Sequence, residues 1–96
     1  TMSAVEIENI LLTHASVVEA AVIGVSDELR GQVVRAYVVL EMGVESDEEQ
    51  LQKYMKDRLS KHAYPREVVF LQQLPKTPAG KVNRKALRDA AKREGN

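Results

Sequence analysis

The 96-residue sequence contains no cysteine and no tryptophan. The lack of cysteine excludes disulfide staples, thiolate nucleophiles and cysteine-based zinc sites. It also fits a reducing compartment. Only four aromatics occur, Tyr37, Tyr54, Tyr64 and Phe70. A stacking platform for single-stranded nucleic acid needs more than these. No apolar run approaches the roughly 18–20 residues that a membrane span requires. No basic-then-apolar leader opens the sequence. The three methionines are scattered, and neither histidine has a second ligand at metal spacing.

What remains is a soluble composition, 44% hydrophobic and 29% charged, which argues against disorder. A chain of this length forms one small domain with a core of its own. Fourteen basic and fourteen acidic side chains cancel to a net charge of zero. The zero conceals a split. Residues 1–48 carry two basic and nine acidic groups, 2 − 9 = −7, and residues 49–96 carry twelve and five, 12 − 5 = +7. Such asymmetry points to an anion-facing end.

Ser3-Ala4-Val5-Glu6 reads as a capping box, and Ile7, Ile10 and Leu11 follow on one helical face. The pattern predicts a helix over about 4–13. Val17–Val25 is rich in β-branched residues and reads as a strand before the Ser26-Asp27 turn signal. Val33–Glu41 reads as a second strand, its apolar run nearly continuous, as expected with both sheet faces covered. A loop from Asp27 to Gln32 carries Arg30 and Gly31 between them. Ser46-Asp47-Glu48-Glu49 reads as another capping box, opening a helix over about 47–61 with an acidic start and a basic end. Tyr64-Pro65 forces an extended step. Glu67–Leu71 reads as a short third strand. Two prolines and a glycine make residues 75–80 a loop, and Asn83 caps a last helix. His14 and His62 read as residues at helix C-termini, favoured there by the dipole. The predicted fold is α+β, order α-β-β-α-β-loop-α. About three strands form a small sheet with helices packed on it, the first two strands antiparallel.

The segment PKTPAGKVNRKAL (residues 75–87) is the best candidate for chemistry. Pro75 and Pro78 stiffen it, and Gly80 permits backbone geometry closed to other residues. Lys81 follows directly, a compact cation suited to phosphate. Arg84 and Lys85 stand at a helix start, where the dipole disfavours cations, so negative charge is expected elsewhere to meet them. A solvated loop before an ordinary basic helix is the competing reading. A P-loop is rejected, because the upstream glycine is missing and Val82 replaces the magnesium-binding hydroxyl.

This segment resembles the final core motif of the acyl-adenylate-forming enzymes, which include acyl-CoA synthetases, peptide-synthetase adenylation domains and luciferases. The run from Val5 to Leu11, then His14 to Val22, resembles the start of that family's C-terminal domain. Asp27 to Gln32 followed by Val34 to Leu40 resembles its central hairpin. Tyr64-Pro65-Arg66 is similar to the acyl-CoA synthetases, medium-chain members above all. The likeness spans nearly the whole chain.

The resemblance implies a mobile lid on a larger N-terminal domain. A carboxylic acid and ATP would give an acyl-adenylate and pyrophosphate. The lid would then turn, and the thiol of CoA would attack to give acyl-CoA and AMP. Lys81 matches the family's adenylation lysine, catalytic and ATP-facing. A cation there would lower the repulsion between carboxylate and triphosphate. Its acetylation, known in the family, would remove that charge. Arg30, Lys56, Tyr64, Pro65 and Arg66 match positions that contact CoA. Guanidinium forks suit phosphate and the Tyr64 ring suits a nucleotide. Each also has a plain alternative: Arg30 as a solvated loop residue, Lys56 as a helix-face charge, Tyr64 as edge packing. Magnesium would accompany ATP on the absent N-terminal domain. Only Thr1-Met2 precedes Ser3, so the family's hinge and pantetheine-tunnel loop are missing, and the fragment alone is expected to have no turnover. A cytoplasmic location is expected, or the mitochondrial matrix in a eukaryote. The lid of a peptide-synthetase adenylation domain is the alternative, since GKVNRKAL resembles that branch. A stand-alone module binding anions or nucleic acid is more distant.

Overall fold

The computed structural model describes residues 2–45 and 47–95. Six elements follow one another: α1 (Ala4–Leu11), β1 (Val17–Asp27), β2 (Gly31–Leu40), α2 (Glu48–Lys56), β3 (Glu67–Phe70) and α3 (Arg84–Glu94). The expected order and α+β class are observed. The sheet runs β1-β2-β3. β1 pairs antiparallel with β2, and β3 pairs parallel with β2. A parallel neighbour needs a crossover, which α2 supplies.

Both sheet faces are covered, which explains the unbroken apolar run in β2. Ala20, Val22, Ala36, Val38 and Val68 pack with Ile7 and Leu11 of α1 and with Leu51 and Met55 of α2. Ala21, Ile23, Val25, Val33, Tyr37 and Val39 pack on the other face with Leu74 and with Leu87 of α3. The register of β1 shifts between Val17 and Glu19. That bulge lets Val17 and Ala20, three apart, join the same core, and it leaves Val18 exposed.

The ends of the elements differ from the sequence pattern for local reasons. The Ser3–Glu6 capping box is present, with Ser3 Oγ accepting from Glu6 N at 3.2 Å. α1 stops at Leu11 because Thr13 N and His14 N turn back to carbonyls three residues earlier. His14 therefore stands beyond the helix. Its Nδ1 accepts from Ser16 N at 3.1 Å, so a local turn rather than a helix dipole places it. The second capping box is corrected. Ser46 lies outside the described residues, and Asp47 caps α2 by accepting from Gln50 N at 2.7 Å. α2 ends at Lys56, five residues earlier than predicted, since Arg58 N bonds Met55 O and a run of turns follows. His62 lies in those turns. The hairpin loop is only Glu28-Leu29-Arg30. Asp27 Oδ2 accepts from Leu29 N and Arg30 N, and Gly31 takes φ +79°.

Candidate functional site

The Lys81 turn is built from its own backbone. Gly80 N donates to Thr77 O at 2.9 Å, with Pro78 at the second position of the turn. Gly80 has φ +85°, a conformation that favours glycine. Thr77 holds the backbone of Lys81 from both sides: Thr77 N donates to Lys81 O at 2.7 Å, and Lys81 N donates to Thr77 Oγ1 at 3.3 Å. Below the turn, Lys76 and Val82 form an antiparallel bridge, and Asn83 N donates to Pro75 O at 2.8 Å. Asn83 caps α3 as expected, accepting from Ala86 N at 3.0 Å.

The cations of this segment divide sharply. Lys76 pairs with Glu19 at 2.8 Å. Arg84 pairs with Glu8, its Nε donating to Oε2 at 2.9 Å and its Nη2 to Oε1. Lys85 pairs with Asp89 at 2.8 Å, which holds the Asp89 carboxyl below its ordinary range. Lys81 is exposed and, among the described residues, makes no ion pair. The structure thus corrects one expectation. The negative charge that meets Arg84 and Lys85 is within this domain.

Glu8 is the residue that sequence reasoning missed. It is 5% exposed. Its carboxylate also accepts from Val22 N of β1 at 2.9 Å. This hydrogen bonding to Glu8 outweighs partial burial and raises the pKa of Arg84. Two signals existed. Glu8 is beside Ile7 on the buried side of a short helix, and Arg84 is a cation at a helix start.

A second basic surface lies where the hairpin end of β2 meets the turns after α2. A cleft of about 360 Å³ is lined by Arg30, Gln32, Val33, Lys61, Tyr64 and Arg66, among others. An adjoining cleft shares Lys61, Tyr64 and Arg66 and adds Lys56. The structure therefore brings Arg30, Lys56, Tyr64 and Arg66 together. Lys56 Nζ and Arg66 Cζ each lie 5.0 Å from the centre of the Tyr64 ring. One ring serves two cations, an arrangement that a bound anion would relieve. Lys61, also missed as a site residue, adds a third charge beside the ring. Arg66 is held in place from its backbone, with its N–H donating to Val34 O and its carbonyl accepting from Gln52 Nε2 at 2.8 Å. Pro65 is fully buried, so it shapes the step rather than presenting a surface. Arg30 stays near Asp27 at 3.7 Å and is half exposed.

Elsewhere, Arg35 is occupied internally. Burial disfavours its charge, but hydrogen bonds to Tyr37, Glu67 and Glu94 prevail and raise its pKa. Among the described residues no group of three or more His, Asp or Glu side chains could hold a metal ion. Among the described residues no helix is long and apolar enough to cross a membrane.

The chain is similar in sequence and fold to known proteins. Human acyl-coenzyme A synthetase ACSM3, a mitochondrial protein, is 47% identical over 88 residues, 86% of this chain and 15% of that protein. An acyl-CoA synthetase from Brucella canis superposes with a TM-score of 0.91 at 42% identity, covering 99% of this chain and 18% of the other. The amide bond synthetase McbA from Marinactinospora thermotolerans gives 0.86 at 36% identity, covering 93% and 18%. The chain thus spans under a fifth of the length of these relatives. The AMP-binding enzyme C-terminal domain pattern matches residues 6–81, ending on Lys81 itself. With its hairpin, its anchored lysine turn and these relatives, the chain belongs to the AMP-binding enzyme C-terminal domain family.

Proposed function

We propose that this chain is the mobile C-terminal lid of an AMP-forming acyl-CoA synthetase, presenting two faces to two half-reactions. The observation that carries the reading is the charge pairing of residues 76–85. Three of the four cations there are neutralised within the domain, and Lys81 is left exposed on a glycine-hinged turn.

In the first half-reaction Lys81 would stand between the substrate carboxylate and the α-phosphate of ATP. The carboxylate oxygen attacks phosphorus, and pyrophosphate leaves. A single fixed cation stabilises the charge developing between two anions. Pairing Lys76, Arg84 and Lys85 internally keeps them from holding ATP in competing poses. In the second half-reaction the lid turns, and the groove of Arg30, Lys56, Lys61, Tyr64 and Arg66 would receive the phosphates and adenine ring of CoA. The thiol attacks the acyl carbonyl, and AMP leaves. An N-terminal domain of the same protein would supply the acid pocket, the nucleotide pocket and magnesium. The isolated chain would therefore be inactive. Cytoplasm or mitochondrial matrix suits such an enzyme. The basic groove favours CoA as acceptor over a carrier-protein arm, whose attachment brings no adenine nucleotide.

The test is Lys81→Ala in the full-length enzyme. Pyrophosphate exchange should collapse, while thioester formation from supplied acyl-adenylate continues. Equal loss of both refutes the assignment.

A further inference from the structure

We propose that Glu8 and Arg84 are positioning residues for Lys81, an inference that rests on the functional reading above. The Lys81 turn is a short ribbon, and both of its stems are tied to β1 through a carboxylate. On the incoming stem, Lys76 reaches Glu19 of β1 at 2.8 Å. On the outgoing stem, Arg84 forks onto Glu8, which also accepts from Val22 N of β1. The two anchors differ in quality. Lys76 and Glu19 are both about a third exposed, so water competes with them. Glu8 has only 7% of its side chain exposed and receives three N–H donors, two of them in a planar fork.

Arg84 is three residues from Lys81 and is the first residue of α3. The rest of α3 is held independently, by Leu87 in the core and by Glu94 on Arg35. Releasing Arg84 would therefore free the stem locally, at residues 81–84, without releasing the helix. The chemistry at Lys81 depends on a point charge held at one place, and small displacements of such groups are costly. The Arg30–Arg66 groove shares no residue with this anchor. Loss of the anchor should thus separate the two half-reactions.

The experiment uses the full-length enzyme carrying Glu8→Gln, Arg84→Gln or Arg84→Lys. Each variant is assayed for pyrophosphate exchange and for thioester formation from supplied acyl-adenylate. Amide hydrogen exchange is followed over residues 75–84. We expect Glu8→Gln and Arg84→Gln to slow adenylation by about 10- to 100-fold. Thioester formation should be unchanged, and the amides of Thr77, Lys81 and Asn83 should exchange faster. Arg84→Lys keeps the charge but loses the fork, so it should restore part of the rate. It also carries the test if Arg84→Gln does not fold. In a Lys81→Ala background, Arg84→Gln should slow adenylation no further. Equal slowing of both half-reactions, or additive losses with Lys81→Ala, would overturn the positioning role. Unslowed adenylation despite faster exchange would do the same. If Lys81→Ala alone leaves adenylation intact, the functional reading fails instead. Hydrogen exchange then still reports whether Glu8 anchors the turn.

Discussion

A double-mutant cycle on Glu8 and Arg84 gives a sharp thermodynamic prediction. Arg84→Ala strands a carboxylate that is 7% exposed, with only Val22 N–H left beside it. Breaking a buried ion pair from one side costs about 3–5 kcal/mol, because the remaining charge is uncompensated. Arg84 is itself 33% exposed, so water can enter from its side. That places the cost at the lower end, about 3 kcal/mol. Glu8→Ala leaves a guanidinium that can swing into solvent, and it orphans Val22 N–H. An unsatisfied buried donor costs about 1–3 kcal/mol, so about 2 kcal/mol is expected. The double variant removes both charges and keeps only the orphaned N–H. It should cost about 2–3 kcal/mol rather than the sum of about 5. The coupling is then about 2 kcal/mol. Urea unfolding of the 96-residue chain measures all four corners. In a domain this size each kcal/mol moves Tm by roughly 4–8 °C, so thermal melts would resolve it too. Additive losses, or a larger loss for Glu8→Ala than for Arg84→Ala, would refute the reasoning.

Three further outcomes follow from the same geometry. Gly80→Ala places a Cβ with nothing within 4 Å, so the strain is purely that of φ +85°. The cost of about 1 kcal/mol should appear as slower adenylation and as a fall in Tm of roughly 4–8 °C. Leu51→Ala empties a fully buried site between α2 and the sheet. It should lower stability by about 3 kcal/mol in urea unfolding. Lys85→Ala should move the Asp89 titration, followed by NMR, up toward ordinary carboxylate values, since the Lys85 hydrogen bond is the main cause of its depression. The sign is that of a lowered carboxylate: its stabilisation is present above the ordinary carboxylate pKa and is lost as pH falls through the depressed value. Asp89 is exposed, so the effect on overall stability should be slight.

The element order was legible because each element carries a local signal. Ser3 and Glu6 cap α1, β-branched runs mark β1 and β2, and Asn83 caps α3. The boundaries were less legible, because periodicity does not see hydrogen bonding. Leu59 continues the apolar pattern of α2, yet it is reached through turns after Lys56. Parallel pairing of β3 is a tertiary choice with no signature in four residues. The charge split shows the limit most clearly. The split between an acidic and a basic half of the sequence suggested an anion-facing end. On folding, Glu8 meets Arg84, Glu19 meets Lys76, and Arg35 meets Glu67 and Glu94. Each pair crosses the divide between halves. The asymmetry is spent partly on holding the fold, and among the described residues Lys56, Lys61, Arg66 and Lys81 stay outside these ion pairs. Lys81 was legible because a short motif surrounds it. Lys61 was not, because in the sequence it is one more basic residue past a helix, and the turns after Lys56 set it beside Tyr64.

The central claim is that one small domain offers two separable cationic faces. The most direct measurement sets Lys81→Ala against Arg66→Ala in the full-length enzyme, with both half-reactions assayed for each. The account predicts a crossed result. Lys81→Ala should lose pyrophosphate exchange and keep thioester formation. Arg66→Ala should keep exchange and require more CoA for thioester formation, a difference that narrows at high salt. Two variants that slow both half-reactions alike would contradict it.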